Sequence, residues 1–553
     1  MDTATFRDLL TPLEQLPRDV TDVVVISSES HRRISELVQA LFPAARVHYF
    51  SQTTSTNDRM AELMRSPRPQ LILDCGDYSQ RATVRHFTSL FYFLADGGTY
   101  IVDQLPRATH SDDVYAHNIV DLLADLAVIR ALPRKADRTP WPASRHELAA
   151  AVADIVVNGR VAVVRKRLHH LVKLREEEAN DILTARYGLT WSRIELIRPA
   201  RTVLSRTRII SHGDGPLDPL RTSFDVPDLH LRHYPDVLCA AMQVAAYGDY
   251  LLPDSFRHPH ARVLGNRHTH YVTPLFSRLK MHCHPDKPRR LAGMYYFLDT
   301  EHPGHFGHIT TEVLGRYWGW ERARQADPSV RLLISSRDPR NVPGFQRTIL
   351  AALGISSDRI EVIHPHDPVH VECLVSGTPQ FENPYYVDPE ITDTWERLAF
   401  GLGLDSRRST SRKARKIFVS RKPESKRWCY ETRKIERFFR QKGFHVLYPE
   451  DQPYQEQAHT FANAHVIAGF GGSGMFNMLL NPRAKVLILN GNGYNAENEH
   501  LIAAANGNEL HYFWGRSDLQ VTDGHTQLEA ARSNFSFDLR QYRKELVQTI
   551  KSF

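Results

Sequence analysis

The chain has 553 residues, of which 42% are hydrophobic and 24% charged, and a formal net charge of +7. This length is too great for one core and predicts about two to four domains. The charge is a mild bias that suits anionic small ligands or a membrane surface as readily as nucleic acid. The five cysteines, Cys75, Cys239, Cys283, Cys373 and Cys429, lie far apart and form no CxxC pair. That pattern argues against a disulfide framework and points to reduced thiols in a cytoplasmic compartment. The opening MDTATFRDLLTPLEQ carries acidic residues and no apolar stretch, so it does not read as a signal peptide. No apolar run reaches the ~18 residues of a membrane-spanning helix, so any work at a membrane is expected from its surface.

Residues 21–106 read as a first α/β unit. VVVIS (23–27) is a strand, Arg32–Leu41 is helical, and VHYFS (47–51) and LILDCGD (71–77) are strands. A helix through Phe87–Leu94 and the strand TYIVDQ (99–104) follow, joined by a turn with two glycines. The stretch Leu71–Leu105 resembles the later half of a class I methyltransferase domain, in which an apolar strand ends in an acidic residue and a glycine pair precedes the next strand. The glycine-rich loop that would hold S-adenosylmethionine is missing, since SESHRR follows VVVIS. Residues 1–140 are therefore expected to be a degenerate Rossmann-like accessory domain, with a working methyltransferase as the alternative.

Residues 107–140 are loop and helix, and 141–190 are expected to form a helical connector. Its span His146–Tyr187 carries long charged stretches that mark a solvated face or a dimer contact. The pair His169–His170 has no metal-ligand spacing. From Trp191 to Gly293 come short strand-like pieces and many prolines, with His258, His260, His268, His270, His282 and His284 beside Cys283. A zinc site is conceivable there, but no C-x-x-C or H-x-x-x-H frame exists, and loop histidines are the stronger reading.

Met294–Leu298 reads as a strand, followed by a Pro-Gly turn and a helix carrying His308, Glu312 and Arg316 at four-residue spacing. Such spacing stacks them on one face, while Ile309, Val313 and Tyr317 can face the core. A His with a carboxylate one turn away makes a general-base pair, because the carboxylate orients the ring and raises its basicity. Surface ion pairing is the competing reading. Residues 331–400 continue as α/β, with Arg337 closing the strand RLLISSR, and a helical or loop linker spans Asp388–Arg415.

The densest signal lies between Lys416 and Asn490. Strand-length runs at Ile417–Val419, His445–Tyr448, Val466–Ala468 and Val486–Leu489 alternate with helical stretches, predicting a parallel sheet with crossovers. Gly469, Gly471, Gly472 and Gly474 fall where the third strand turns into a helix starting near Ser473. Such a turn lets backbone approach a phosphate, and the helix start offers free N–H groups. Ser420, Arg421 and Lys422 end the first strand, where a guanidinium and an ammonium suit phosphate. A plain tight turn beside a solvated basic edge, which includes Lys413, Arg415, Lys416, Lys426, Arg427, Arg433 and Lys434, is the competing reading. The chain ends with a helix at Glu497–Ala505, a strand at 509–515 and a helix at Phe537–Ile550.

Three blocks in this order resemble glycosyltransferase family 61, over residues ~200–515. HFGHITTEVLGR is similar to its His-x-x-x-Glu-x-x-x-Arg segment and supplies His308, Glu312 and Arg316. FVSRKPESKRWCYETRKIERFFRQKGFHVLYPED supplies Ser420, Arg421 and Glu431, and the block ending AHVIAGFGGSGMFNMLLNPRAKVLIL supplies Glu456, Gly469, Gly472, Gly474 and Asn477. Two departures stand out. Phe470-Gly471 replaces the family's Pro-His, and Asn490 stands where a strand-end carboxylate is usual; Asn490 can still hydrogen-bond a ribose hydroxyl.

The resemblance implies a GT-B pair of Rossmann-like lobes, 191–400 for the acceptor and 401–553 for the donor. It implies inverting transfer of a sugar from a nucleotide donor, of uridine diphosphate type, without cofactor or obligatory metal. The partners it implies are the nucleotide sugar and a glycan or glycolipid acceptor of capsular or envelope polysaccharide, not nucleic acid. His308 would be the base, oriented by Glu312. Arg421, Lys422, Gly471, Gly472, Ser473, Gly474, Asn477 and Asn490 would bind the donor, and Arg316 and Arg337 the acceptor or phosphate. Peripheral membrane association at the inner face and a homodimer fit the same picture, and a non-catalytic glycan-binding scaffold is the remaining alternative.

Overall fold

The computed structural model describes residues 12–13, 16, 19–27, 32–76, 79–103, 105, 118–132, 140–188, 193–215, 221–280, 288–338, 342–404, 415–423, 426–494 and 497–553. The chain is mixed α/β and divides into two compact units, Met1–Trp191 with Val244–His284, and Ser192–Gln243 with Pro285–Phe553. The histidine-rich stretch thus joins the amino-terminal unit instead of the 191–400 lobe expected for it. Its members His282 and His284, with Cys283, lie outside the described residues, as do Ser28–His31, which follow the first strand, and Gln104. Among the described residues no three His, Cys, Asp or Glu side chains gather to hold a metal ion. No helix among them is long and apolar enough to cross a membrane. Among the described residues Cys75, Cys239, Cys373 and Cys429 form no disulfide.

The first unit holds a six-stranded sheet. Strands Arg46–Ser51, Asp22–Ser27, Leu71–Cys75 and Thr99–Val102 run parallel in that spatial order, and Val161–Lys166 and Val152–Asn158 add an antiparallel edge. The central strands are buried along their whole length, as expected for a sheet covered on both faces. Ser55, Ser79 and Asn118 cap the flanking helices through their side-chain oxygens.

The helical connector expected over 146–187 does not form. A helix covers only Ala143–Ala151, the strands Val152–Asn158, Val161–Lys166 and Leu171–Lys173 follow, and a second helix spans Ala179–Tyr187. The physical reason is legible in VVNGRVAVV. β-Branched valines flank an Asn-Gly turn, and Gly159 takes φ 57°, the left-handed conformation a tight hairpin requires.

Asp74, the acid near the end of the strand Leu71–Cys75 in the methyltransferase-like stretch, is turned into the core and accepts the Tyr100 hydroxyl at 3.0 Å. Burial raises its carboxyl from 3.8 to about 6. The folded state therefore carries a penalty above pH ~6, relieved as the pH falls towards 4 and the group takes its proton. Asp74→Asn is expected to stabilise the protein by up to about 3 kcal/mol at pH ~7.5, with the gain fading from pH ~6 and gone by pH ~4. Urea denaturation at both ends of this pH range checks this.

The second unit is built on two large sheets, with two-stranded ribbons beside them among the described residues. In one, Leu229–Ala240 pairs antiparallel with Arg193–Arg198 and Val369–Gly377, and Val369–Gly377, Arg289–Phe297, Arg331–Ser335 and Ile360–Ile363 run parallel. In the other, Arg208–His212, Glu509–Ser517, Lys485–Gly491, Ala464–Phe470, Arg415–Val419 and Phe444–Leu447 lie side by side, all parallel. The five predicted strands of this sheet all appear, four with wider bounds and one, Phe444–Leu447, shifted by one residue. Its outer strand, Arg208–His212, comes from the residues expected to belong to the other lobe. One continuous apolar core, including Tyr296, Ile309, Val313, Trp395, Met475, Phe476 and Ile488, packs the two sheets of this unit together.

Candidate functional site

In the second sheet the chain leaves Arg415–Val419 for Phe444–Leu447 on one side, then returns to Ala464–Phe470 on the other. The strand order reverses between the strands 415–419 and 464–470, and a crevice opens at the carboxyl ends of strands at such a point. The residues there are Ser420 and Arg421 from one strand and Gly469–Gly474 from the other. Adjacency expected from strand alternation is therefore present.

The glycine loop is shaped by its neighbours. Gly472 takes φ 130°, and a Cβ on it would stand 2.3 Å from Arg421 Nη2 and 2.7 Å from Arg427 Nη2. A Cβ on Gly471 would stand 2.4 Å from Asn490 Nδ2. Arg421 donates through Nη2 to the Gly471 carbonyl and through Nη1 to the Lys426 carbonyl at 2.9 Å. Burial, and then the adjacent Arg427, lower Arg421 to about 9, so it keeps its charge at neutral pH.

Two expectations about this loop are corrected. The helix after it is a 3₁₀ helix, Ser473–Leu480. Its preceding amides are also not all free: Gly472 N–H donates to the Glu499 carboxylate and Gly471 N–H to the Leu489 carbonyl at 3.3 Å. The amides left for an anion, among the described residues, are those of Ser473 and Gly474 at the helix start.

The helix carrying His308 is also irregular. Phe306–His308 is α-helical, Ile309–Val313 is a π turn and Leu314–Arg316 is 3₁₀. Widened turns of this kind concentrate at functional sites. His308 Nδ1 and Glu312 Oε2 are 2.9 Å apart. The carboxylate side chain is nearly buried, while His308 is 17% exposed. With Nδ1–H donating to Glu312, Nε2 is the basic nitrogen, and it makes no hydrogen bond among the described residues. His302 and His305 pack their rings against His308 at centroid distances of 4.2 and 4.8 Å, contacts that no spacing rule pointed to. Their segment is anchored by buried Asp299, which accepts Ser335 Oγ at 2.6 Å and Gln243 N–H at 2.7 Å. Ile309, Val313 and Tyr317 are in the core as expected.

The two halves of the site meet at Gly307. A Cβ there would lie 3.1 Å from both Ser473 Cβ and Phe476 Cε2. The residue before the histidine therefore rests on the residue that opens the 3₁₀ helix.

The other expected site residues are placed as follows. Asn490 is buried beside Gly471, and its Nδ2 has no hydrogen-bond partner among the described residues. Asn477 Nδ2 donates to Gln457 Oε1 at 3.2 Å, and its buried Oδ1 is unpartnered. Lys422 forms an ion pair with Asp451. Arg316 is buried and Arg337 is exposed after its strand. Two of the other family-like positions make structural hydrogen bonds and the third is exposed. Ser420 Oγ donates to Glu436 at 2.6 Å, Glu431 accepts Phe537 N–H at 2.8 Å, and Glu456 is exposed in the first turn of Tyr454–Ala462. Residues missed by sequence reasoning are Arg427, counted there with the solvated basic edge, and Tyr494 and Glu499, which no motif marked.

Residues 306–488 match the family model for glycosyltransferase 61. The matched segment runs from the His308 helix through Arg421 and the glycine loop to the following strand, so it contains both halves of the site and supports a glycosyltransferase. Residues ~200–305 and 489–515, also read as similar to the family, lie outside it. No curated protein matches the chain. Matching solved structures include the MycE methyltransferase from the mycinamycin biosynthetic pathway in complex with Mg and SAH, at 14% identity over 29% of this chain and 48% of that chain, with a TM-score of 0.25. The same enzyme with Mg, SAH and mycinamycin VI matches at 15% identity over 27% and 45%, with a TM-score of 0.23. The chain spans less than half the length of these structures, and TM-scores of this size carry no conclusion about fold or activity.

Proposed function

We propose that the second unit is an inverting, metal-independent glycosyltransferase of GT-B type that uses a nucleotide-diphosphate sugar, of the uridine type, to extend a glycan of capsule or envelope polysaccharide. The observation that carries this is the seat of Gly307 on Ser473. It brings an oriented imidazole, His308, up to a glycine loop overhung by a guanidinium.

The chemistry follows from that arrangement. The donor diphosphate takes the Ser473 and Gly474 amides and Arg421. Asn490 Nδ2, buried and unpartnered, suits a donor hydroxyl or carbonyl. An acceptor hydroxyl attacks the anomeric carbon from the face opposite the leaving phosphate and gives its proton to His308 Nε2. The bond from that carbon to the phosphate oxygen breaks, and the diphosphate leaves with the electron pair. Glu312 stabilises the imidazolium that forms. The acceptor lobe comprises 191–400 and the donor lobe 401–553 in this reading, and Arg316 and Arg337 are assigned to an acidic acceptor.

Thermal shift with nucleotide sugars tests the donor, because a ligand of the native state raises the melting point. UDP is expected to raise it. Arg421→Lys is expected to weaken UDP binding about ten-fold, since an ammonium cannot hold the Gly471 carbonyl and a phosphate together as a planar fork does. Equal UDP binding by the wild type and this variant would remove Arg421 from the site.

A further inference from the structure

Glu499 lies wholly inside the second unit, in the first turn of the helix Asn498–Asn506. Its carboxylate accepts the Gly472 N–H and has the Tyr494 hydroxyl 3.0 Å from each oxygen. The Arg427 guanidinium lies over the Tyr494 ring, 4.8 Å from its centroid. Arg427 reaches this place from φ 62°, a left-handed conformation that costs a side-chain-bearing residue energy and is kept where the surroundings enforce it. Arg421 and Arg427 converge on the same glycine that Glu499 holds. The loop thus already contains a carboxylate beside its two guanidinium groups, and an arriving diphosphate must share the arginines with it.

Resting on the donor reading above, we infer that Glu499 is a positioning residue of the donor pocket: it fixes Gly472 and partly offsets Arg421 and Arg427, so that the diphosphate product is held loosely enough to leave. The loop is held by a charge that opposes the ligand's own. A neutral acceptor would hold the same amide and let the arginines grip the product harder. The titratable groups facing Glu499 are Arg421 and Arg427, Tyr494, Tyr512 from Glu509–Ser517, and Glu497 and His500 on its own segment. Burial raises the Glu499 carboxyl above its ordinary value, against the lowering effect of the Gly472 amide, Tyr494 and Arg427. The offset therefore weakens as the pH falls.

Calorimetric titration of the full chain with UDP tests this on the wild type, Glu499→Gln and Tyr494→Phe. Glu499→Gln keeps an oxygen for the Gly472 amide and loses the charge. It is expected to bind UDP at least roughly five-fold more tightly at pH ~8, the size expected for one nearby charge at a partly solvated site. With the nucleotide sugar as donor, KM and kcat should both fall, because release slows. The ratio of the two affinities should shrink towards one at lower pH. UDP's own protonation is common to both proteins and drops out of that ratio. Tyr494→Phe keeps the ring beneath Arg427 and removes a donor that favours the charged carboxylate. Its expected tightening is smaller and in the same direction, which keeps the inference testable if Glu499→Gln does not fold. Unchanged or weaker binding by the folded variants, with a pH-independent ratio, would show Glu499 to be a purely structural buried acid and overturn the inference. The donor reading would survive that result so long as the wild type binds UDP and Arg421→Lys weakens it. If no form binds UDP, the donor reading falls first and this inference with it.

Discussion

His308→Ala is expected to lower sugar transfer by about 10³-fold while leaving UDP affinity within about two-fold of the wild type. The size follows from the role. An acceptor hydroxyl is a poor nucleophile until its proton has somewhere to go, and a positioned base contributes about 10²- to 10⁴-fold. His308 is placed for this by three features. Glu312, 2.9 Å from Nδ1, selects the tautomer with a basic Nε2. His302 and His305 wall the ring on two sides, and partial exposure leaves the ring open to substrate. In the proposed reading UDP contacts Arg421 and the loop amides and not His308, so its affinity should be spared. Glu312→Gln keeps a hydrogen-bond acceptor and loses the stabilising charge, so it should fall between the two. Rates of transfer and of donor hydrolysis, measured with whichever nucleotide sugar raises the melting point, decide the matter. Equal rates for the wild type and His308→Ala would move the base elsewhere.

The second large effect is expected at Gly472. Gly472→Ala should reduce kcat/KM for the donor about 100-fold, the scale of an ångström-sized misplacement at a reacting site. Two causes add. The backbone at φ 130° is strained for any residue with a Cβ, and the new methyl would sit 2.3 Å from Arg421 Nη2 and 2.7 Å from Arg427 Nη2. The guanidinium groups must move, and with them the proposed phosphate site. Gly443→Ala separates the causes: its φ is 81°, yet its Cβ would meet nothing within 4 Å. It should lower the melting point with little change in UDP affinity. Similar losses of donor binding in both variants would mean that strain alone, and not the arginine pair, explains the Gly472 effect.

Much of the parallel sheet was legible because buried strands leave unbroken apolar runs, as in KVLILN and VIAGF, and crossovers leave a helical period between them. The His308–Glu312 pair was legible for a similar reason: four-residue spacing survives a π turn well enough to keep the two side chains in contact. The loss of regular helix at 309–316 was not legible, since no residue type marks it. The strands at 152–173 were misread by weighing charge over valine and passing over Asn158-Gly159. Glu499 could not be found from the sequence. It lies 27 positions from Gly472, and only the fold brings that carboxylate to the loop. Arg427 was visible but indistinguishable from neighbouring basic residues until its ring partner, Tyr494, was placed.

The outer strand Arg208–His212 has a consequence for how the molecule is made. It pairs with Glu509–Ser517, and the Thr207 hydroxyl bonds the Asn508 carbonyl 301 positions later. On the ribosome this strand emerges long before its mate and must wait, unpaired, while the intervening residues are made. Contacts this remote along the chain are slow to form, and bare strand edges invite association between nascent molecules while they wait. The second unit can therefore close only once Glu509–Ser517 has been made, and cutting the chain between these two strands would strip the carboxy-terminal sheet of its protecting border.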